Sequence, residues 1–216
     1  MNIELKKYTE QCNEWPQTGY HIMAQYDKEK IIVYQSYRPA IGNYAAKHQQ
    51  FGGDFSLNRM TWIKPNFLWM MYRNGWATKK GQEVVLAIHL KIEAFEKYMR
   101  QSEYSSFGES LFEQHDQWKA SLEKTEARLQ WDPDHDPYGA KLERRAIQIG
   151  IKGELTRSYA QDDIIEIEDI SDFVTEQREW VRKKKLEYLL VPHETPFWFE
   201  DDALNDKLKI RKTDAS

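Results

Sequence analysis

The segment from Met60 to Ala77, MTWIKPNFLWMMYRNGWA, places the tightest limits on how this chain folds. It contains three of the six methionines and three of the eight tryptophans. The tryptophans are seven residues apart: Trp62, Trp69 and Trp76. Pro65 disfavours a helix before it, so an extended stretch is expected first and then a helix that ends at Asn74–Gly75. Because tryptophan combines a large apolar surface with one N–H group, the segment is either core or the wall of a pocket.

The composition predicts a globular domain whose core relies on aromatic side chains. Of the 216 residues, 40% are apolar, 31% are charged and 13% are aromatic. No apolar run reaches the roughly 18 residues that span a bilayer. The first residues lack the apolar centre of a signal peptide, and the lone Cys12 excludes an internal disulfide. We therefore predict one cytoplasmic domain without a membrane partner.

Strands and helices alternate along the chain without a regular strand–helix–strand rhythm. Runs of β-prone residues predict strands at 21–26, 31–37, 83–90, 144–151 and 164–167, the last two as partners. Residues 128–131 are predicted to be extended, with a break at Asp132–Pro133. Helical periodicity and proline positions predict helices at 40–50, 66–73, 92–101, 110–124 and 172–189. Such a mixture favours the α+β class, with a small, twisted, mostly antiparallel sheet and several helices.

The domain is expected to occupy residues 20–190. Residues 1–19 are interpreted as an N-terminal extension. Residues 191–216 contain two prolines, an acidic stretch and a basic end. Such a composition is typical of a loosely attached C-terminal tail.

One acidic stretch resembles a calcium loop. Asp132, Asp134, Asp136 and Glu143 occupy positions 1, 3, 5 and 12 of an EF-hand pattern. The sixth position requires a glycine for a sharp turn, but Pro137 stands there and cannot adopt that conformation. The six histidines show no zinc-type spacing. We therefore predict an acidic turn and no metal site.

Several enzyme signatures are missing from the sequence. It has no P-loop, no glycine-rich dinucleotide motif after a strand and no GxSxG. P-loop hydrolysis, Rossmann dehydrogenation and α/β-hydrolase chemistry are thus disfavoured. The net charge of −4 gives no general case for nucleic-acid binding, which would need a local basic face.

Polar side chains within the apolar segments form the candidate site. Cations and amides among aromatic rings can hold a phosphate and stack against a planar ring. The alternative is that they are edge-strand residues whose tips reach solvent. Because such groups recur in each apolar segment, we predict a pocket beside Met60–Ala77. Its expected walls are Tyr34, Gln35, Arg38, Trp62, Lys64 and Arg73, with Arg145 or Gln148 entering from strand 144–151.

Four stretches of the chain resemble a known family. They are VYQSYRPAI, MTWIKPNFLWMMYRNGWATKKGQE, QWDPD and RRAIQIGIKG. On these motifs the chain is identified as a member of the bacterial and fungal family called domain of unknown function 4291. The resemblance covers about residues 20–190. Asn66 and Asn74 stand where serines are expected, and the family implies no settled activity.

The order of the predicted elements also resembles the ADP-ribosyltransferase fold, in which a comparable strand–helix–strand unit holds NAD. The late strand of that fold usually carries a catalytic glutamate, and Gln148 is at the matching place. An amide cannot act as a base, although it can bond a ribose hydroxyl. The resemblance implies Gln148 and Arg38 as catalytic candidates. The implied NAD-binding residues are Tyr34, Gln35, Tyr37, Trp62, Lys64, Arg73 and Arg145.

Two functions follow from these expectations. The first is an NAD-using enzyme of the ADP-ribosyltransferase type, with Arg38 or Lys64 on the pyrophosphate. The second is a non-catalytic module that binds a nucleotide or single-stranded nucleic acid by stacking bases on tryptophans. The exposure of the three tryptophans distinguishes them. Exposed rings along a basic groove favour the module, and rings that wall a closed cleft favour the enzyme.

Overall fold

This computed structural model describes residues 1–210 of the chain. They contain eight α-helices and twelve strands, joined by turns and loops. The helices are α1 (Tyr8–Glu14), α2 (Pro39–His48), α3 (Phe67–Asn74), α4 (Ile92–Gln101), α5 (His115–Lys124), α6 (Gly153–Gln161), α7 (Ser171–Arg182) and α8 (Asp202–Lys207). The strands are β1 (Leu5–Lys7), β2 (Gly19–Tyr20), β3 (Ile22–Ala24), β4 (Lys30–Tyr37), β5 (Thr61–Ile63), β6 (Val84–Lys91), β7 (Ser102–Tyr104), β8 (Ala127–His135), β9 (Lys141–Ile151), β10 (Ile164–Asp169), β11 (Leu190–Pro192) and β12 (Thr195–Phe197).

Two larger sheets meet at a single bridge. Strands β10, β6 and β4 form an antiparallel sheet in that order. Strands β2, β9, β8 and β7 form the second sheet, to which β5 is added beside β9. Only β2–β9 and β7–β8 are parallel among the pairs of residues 1–210. The N–H of Tyr34 in β4 donates to the carbonyl of Lys64, just after β5, at 2.7 Å and joins the sheets.

The fold is a single α+β domain with mostly antiparallel pairing, as predicted. It differs from the prediction in having several sheets instead of one small sheet. Strands β4 and β6 are buried on both faces, and successive side chains of each strand point to opposite sides. Val33 and Ile88 enter one apolar cluster, and Tyr34 and Ala87 enter the other. This double burial explains the continuous apolar run in β6.

The first residues and residues 191–210 are both part of the folded body. Strand β1 pairs with β11, and β12 pairs with β3. Phe197, Phe199 and Leu204 are buried in the larger apolar cluster. The prediction of a loosely attached tail is therefore wrong for residues 191–210, because its aromatic and aliphatic side chains complete the core. Residues 211–216 of the predicted tail lie outside the described residues.

Two strand predictions are corrected. Strand β10 pairs with β6 and not with β9, because β8 already occupies one edge of β9 and β2 and β5 share the other. The extended stretch predicted to break at Asp132–Pro133 continues as β8 to His135. Pro133 is accommodated there because the register shifts between Pro133 and His135.

The predicted helices are also corrected: the one expected over residues 110–124 begins at His115. The helix expected over residues 172–189 ends at Arg182, where Lys184 adopts a left-handed conformation with φ of 56°. Helix α6 was not predicted. It begins at Gly153, whose φ of 60° suits glycine. Across residues 1–210, no helix combines the length and the apolar character needed to cross a membrane.

Candidate functional site

The candidate site is a cavity between β4, β5 and α3. It has a volume of about 290 Å³. Its walls include Gln35, Tyr37, Thr61, Trp62, Lys64 and Arg73. The sequence pattern predicts a pocket beside Met60–Ala77, and this cavity lies at that position.

A hydrogen-bond network built on Gln35 fixes one wall. Its Nε2 donates to Thr61 Oγ1 at 2.8 Å and to the Trp62 carbonyl at 2.9 Å. Its Oε1 accepts from the Tyr159 hydroxyl at 2.7 Å. The Tyr37 hydroxyl lies 3.0 Å from Thr61 Oγ1. Both N–H groups of Gln35 are thus engaged, so this side chain holds β4 against β5.

Lys64 places an amine on the cavity wall with little contact to water. The residue is 6% exposed. Its Nζ donates to the Trp62 carbonyl at 3.2 Å and lies 5.3 Å from the centre of the Trp69 ring. Burial, followed by the positive charge of Arg73, lowers the pKa of Lys64 to about 7, against a smaller opposite effect of Asp132. A large fraction of this amine is therefore uncharged at neutral pH.

Arg73 is an exposed cation in the last turn of α3. The helix begins where Asn66 Oδ1 accepts from the Trp69 N–H at 2.7 Å. It ends at Gly75, whose φ of 62° allows the left-handed cap. Arg73 forms no ion pair within residues 1–210. Its guanidinium is therefore available to an anion in the cavity.

Trp62 forms a wall because Gly150 leaves room for its ring. The two residues are opposite each other in the β5–β9 pair. A Cβ atom at position 150 would lie 2.9 Å from Trp62 Cε2 and 2.7 Å from Met60 Sδ. These distances are shorter than ordinary contacts, so both side chains would have to move.

We expect Gly150→Ala to move the Trp62 ring and to lower the free energy of unfolding by about 1–3 kcal/mol, the usual cost of overpacking. Tryptophan emission and urea unfolding measure the two effects. Gly108→Ala is the matched control, because a Cβ atom there meets nothing within 4 Å. An unchanged emission spectrum in Gly150→Ala would contradict the proposed packing. The same comparison in a Trp62→Phe background assigns the change to Trp62.

A second cavity of about 400 Å³ adjoins the first and shares Tyr37, Met60 and Thr61 with it. Arg38 and Arg59 are in its walls. Arg38 donates to Asp54 Oδ2 at 2.8 Å in an exposed ion pair. Arg38 therefore belongs to the adjoining cavity and already has a counter-ion.

Three of the predicted wall residues are elsewhere. Tyr34 is fully buried against Phe67, with ring centres 5.4 Å apart, and contributes only its backbone N–H beside Lys64. Arg145 and Gln148 are not part of the lining of either cavity. They occupy opposite faces of β9, since side chains alternate along a strand.

Gln148 instead helps to hold a carboxylate that the site prediction missed. Its Nε2 donates to Asp132 Oδ2 at 2.7 Å, and Gln130 Nε2 donates to Asp132 Oδ1 at 2.9 Å. Asp132 is close enough to raise the pKa of Lys64. The sequence showed Asp132 only as part of an acidic turn. Gln130 and Asp132 are two residues apart in an extended stretch, and this spacing indicates that their side chains share a face.

The other two tryptophans of the segment are core residues. Trp69 and Trp76 are 5% and 8% exposed. Trp76 Nε1 donates to the Pro137 carbonyl at 3.1 Å. Only Trp62 of the three presents its ring to the cavity.

One group of possible metal ligands occurs among residues 1–210, on the three-stranded sheet. Ligand atoms of His89, Glu166 and Glu168 lie within 4.8 Å of one another. His89 Nε2 is 2.8 Å from Glu168, and Asn2 donates to both carboxylates. These contacts give the carboxylates protein donors and attach the first residues to the sheet.

Comparison with known protein families gives a match over most of the chain. The profile of a family described as "Domain of unknown function (DUF4291)" matches residues 21–197. No curated protein matches the chain.

Proposed function

Because the chain belongs to the DUF4291 family, whose description assigns no activity, we propose a function from the site itself: an NAD-using enzyme of the ADP-ribosyltransferase type. The observation that carries the proposal is the pairing of Lys64 and Arg73 with the rings of Trp62 and Tyr37 around one cavity. Cations bind phosphate oxygens, and aromatic faces stack against planar rings such as nicotinamide or adenine.

The two adjoining cavities support a two-ended ligand. Their volumes of about 290 and about 400 Å³ compare with about 300–1,000 Å³ for typical small-molecule sites. Cations are present in both, with Lys64 and Arg73 in the first and Arg38 and Arg59 in the second. A dinucleotide has a ring at each end and a pyrophosphate between them, which fits this distribution.

Gln148 is assigned a positioning role in this proposal. An amide cannot accept a proton as a base. Asp132, which Gln148 and Gln130 hold by hydrogen bonds, is the carboxylate near Lys64. We therefore assign Asp132 the role of the anionic group beside the ribose. Gln148 orients the Asp132 carboxylate.

The burial of two tryptophans weakens the rival function, a module that stacks single-stranded nucleic acid. Stacking needs exposed ring faces. Trp69 and Trp76 are buried, so only Trp62 can offer one from this segment. Rings that wall a closed cleft are the arrangement expected for the enzyme, and of the three tryptophans Trp62 lines the cavity. A cytoplasmic location, where NAD is abundant, remains a prediction.

The test is a titration of tryptophan emission with NAD, ADP-ribose and a short single-stranded oligonucleotide, together with an assay for nicotinamide release. NAD and ADP-ribose are expected to change the emission of Trp62. Arg73→Ala is expected to weaken NAD binding about 10- to 100-fold, because a charge-assisted hydrogen bond contributes about 1.5–3 kcal/mol. Arg38→Ala is expected to have a smaller effect, since Arg38 is paired with Asp54.

Arg182→Ala is the control for a general change of charge. Arg182 is exposed in α7 and pairs with Glu179, so this variant is expected to bind NAD as the parent does. No response to either dinucleotide, together with an oligonucleotide response that fades with salt, would transfer the assignment to the nucleic-acid module.

A further inference from the structure

The amine of Lys64 differs from a structural lysine in its surroundings. A buried lysine that serves the fold is normally neutralised by a carboxylate. No carboxylate of residues 1–210 forms an ion pair with Lys64. Among these residues, the Lys64 amine donates one hydrogen bond, to the Trp62 carbonyl. That carbonyl already accepts from Gln35, so it does not depend on the lysine.

Burial and the like charge of Arg73 favour an uncharged amine at Lys64. The Trp69 ring covers one side, Arg73 brings a like charge from α3, and Asp132 of β8 acts in the opposite direction without contact. Burial and Arg73 outweigh Asp132, so the pKa of Lys64 is about 7. An uncharged amine has a free electron pair and is a nucleophile.

We propose that Lys64 forms an imine with the aldehyde carbon of a phosphorylated ligand in this cavity. The proposal deepens the proposed function, on which it rests for the phosphate group. The nitrogen lone pair adds to the carbonyl carbon, and the π electrons move to the oxygen. Two protons pass from nitrogen to oxygen, which leaves as water: R–NH2 + O=CH–R′ → R–N=CH–R′ + H2O. No oxidant or reductant takes part.

Arg73 is the phosphate anchor in this reaction. It lines the same cavity, is exposed and has no ion-pair partner within residues 1–210. A guanidinium matches the geometry of phosphate oxygens. Open-chain ADP-ribose and smaller phosphorylated aldehydes share the required chemistry.

The experiment traps the imine on the full chain. The protein is incubated at neutral pH with pyridoxal 5′-phosphate, a phosphorylated aldehyde, and reduced with borohydride. Peptide mapping by mass spectrometry then reports the labelled fraction of each lysine. Lys64 is expected to react at least about tenfold faster than the exposed Lys119, because far more of its amine is uncharged.

Four further arms test the chemistry. Pyridoxal, which lacks the phosphate, is expected to label Lys64 several-fold more slowly. Arg73→Ala is expected to abolish this difference between the aldehydes. Lys64→Arg is expected to lose the label, whereas Lys119→Arg keeps it. Incubation with ADP-ribose and cyanoborohydride tests whether the aldehyde of the open-chain sugar forms the imine with Lys64.

The outcomes separate this proposal from NAD binding. Labelling of Lys64 without any NAD response supports the imine and rejects NAD as the ligand. NAD binding with Lys64 unlabelled by both phosphorylated aldehydes overturns the imine. Labelling spread evenly over surface lysines also overturns it. The mapping uses the unmodified chain, so this result does not depend on whether a variant folds.

Discussion

Arg144→Leu is expected to lower the free energy of unfolding by about 3–5 kcal/mol, the usual cost of leaving one charge of a buried pair unpaired. The Arg144 and Asp134 side chains are 3% and 0% exposed. Arg144 Nε and one terminal nitrogen donate to Asp134 Oδ2 at 2.8 and 2.6 Å. The other terminal nitrogen donates to the Pro16 carbonyl at 2.8 Å, and the guanidinium lies over the Trp15 ring. In the variant, the His135 N–H is the one donor that Asp134 keeps within residues 1–210.

Urea unfolding measures the loss. The double variant Asp134→Val/Arg144→Leu is expected to be more stable than Arg144→Leu alone, because it removes the stranded charge. Arg157→Leu is the control. Its ion pair with Glu154 is exposed, so its loss is expected to cost about 0–1 kcal/mol. A loss in Arg144→Leu no larger than in the control would show that the buried pair is not important for stability.

Lys64→Met is expected to stabilise the protein, and the gain is expected to depend on pH. Folding lowers the pKa of Lys64 from 10.5 to about 7. Between these values the unfolded chain binds a proton that the folded chain does not. The stability of the parent therefore falls as the pH decreases from 10.5 towards 7, and the loss is complete below pH 7.

The expected gain in the variant is roughly 2–4 kcal/mol at slightly acid pH. One pKa unit corresponds to about 1.4 kcal/mol, and local relaxation reduces the full value. Methionine fills similar space, and the Trp62 carbonyl keeps its bond from Gln35. Urea unfolding at slightly acid and at alkaline pH measures the difference. Lys119→Met, at an exposed position in α5, is expected to show no such trend. A gain that is equal at both pH values would refute the assignment.

Local chemistry explains what the sequence could predict about the site. Pro65 starts α3 and Gly75 ends it through backbone preferences that do not depend on the rest of the fold. The alternation around Gln35 and Tyr37 places both on one face of β4. The position of the cavity followed from these signals, together with Lys64 and Arg73.

Contacts between distant segments explain what it could not predict. The burial of Trp76 depends on the Pro137 carbonyl, which comes from a turn 61 residues later. Asp132 meets Gln148 only through the register in which Gln130 is opposite Gln148. The partner of β10 depended on both edges of β9 being occupied. None of these pairings can be recognised from the local composition or periodicity of the sequence.

The pairing of the two chain ends has a consequence for biosynthesis. Leu5 is opposite Pro192, and Ile22 is opposite Phe197. The chain must therefore be translated as far as Pro192 before β1 can pair with β11, and as far as Phe197 before β3 can pair with β12. Loops of this length are slow to close, and until then the nascent chain exposes apolar surface and unpaired strand edges. A chaperone that shields β1 and β3 during translation would act before β11 and β12 are synthesised.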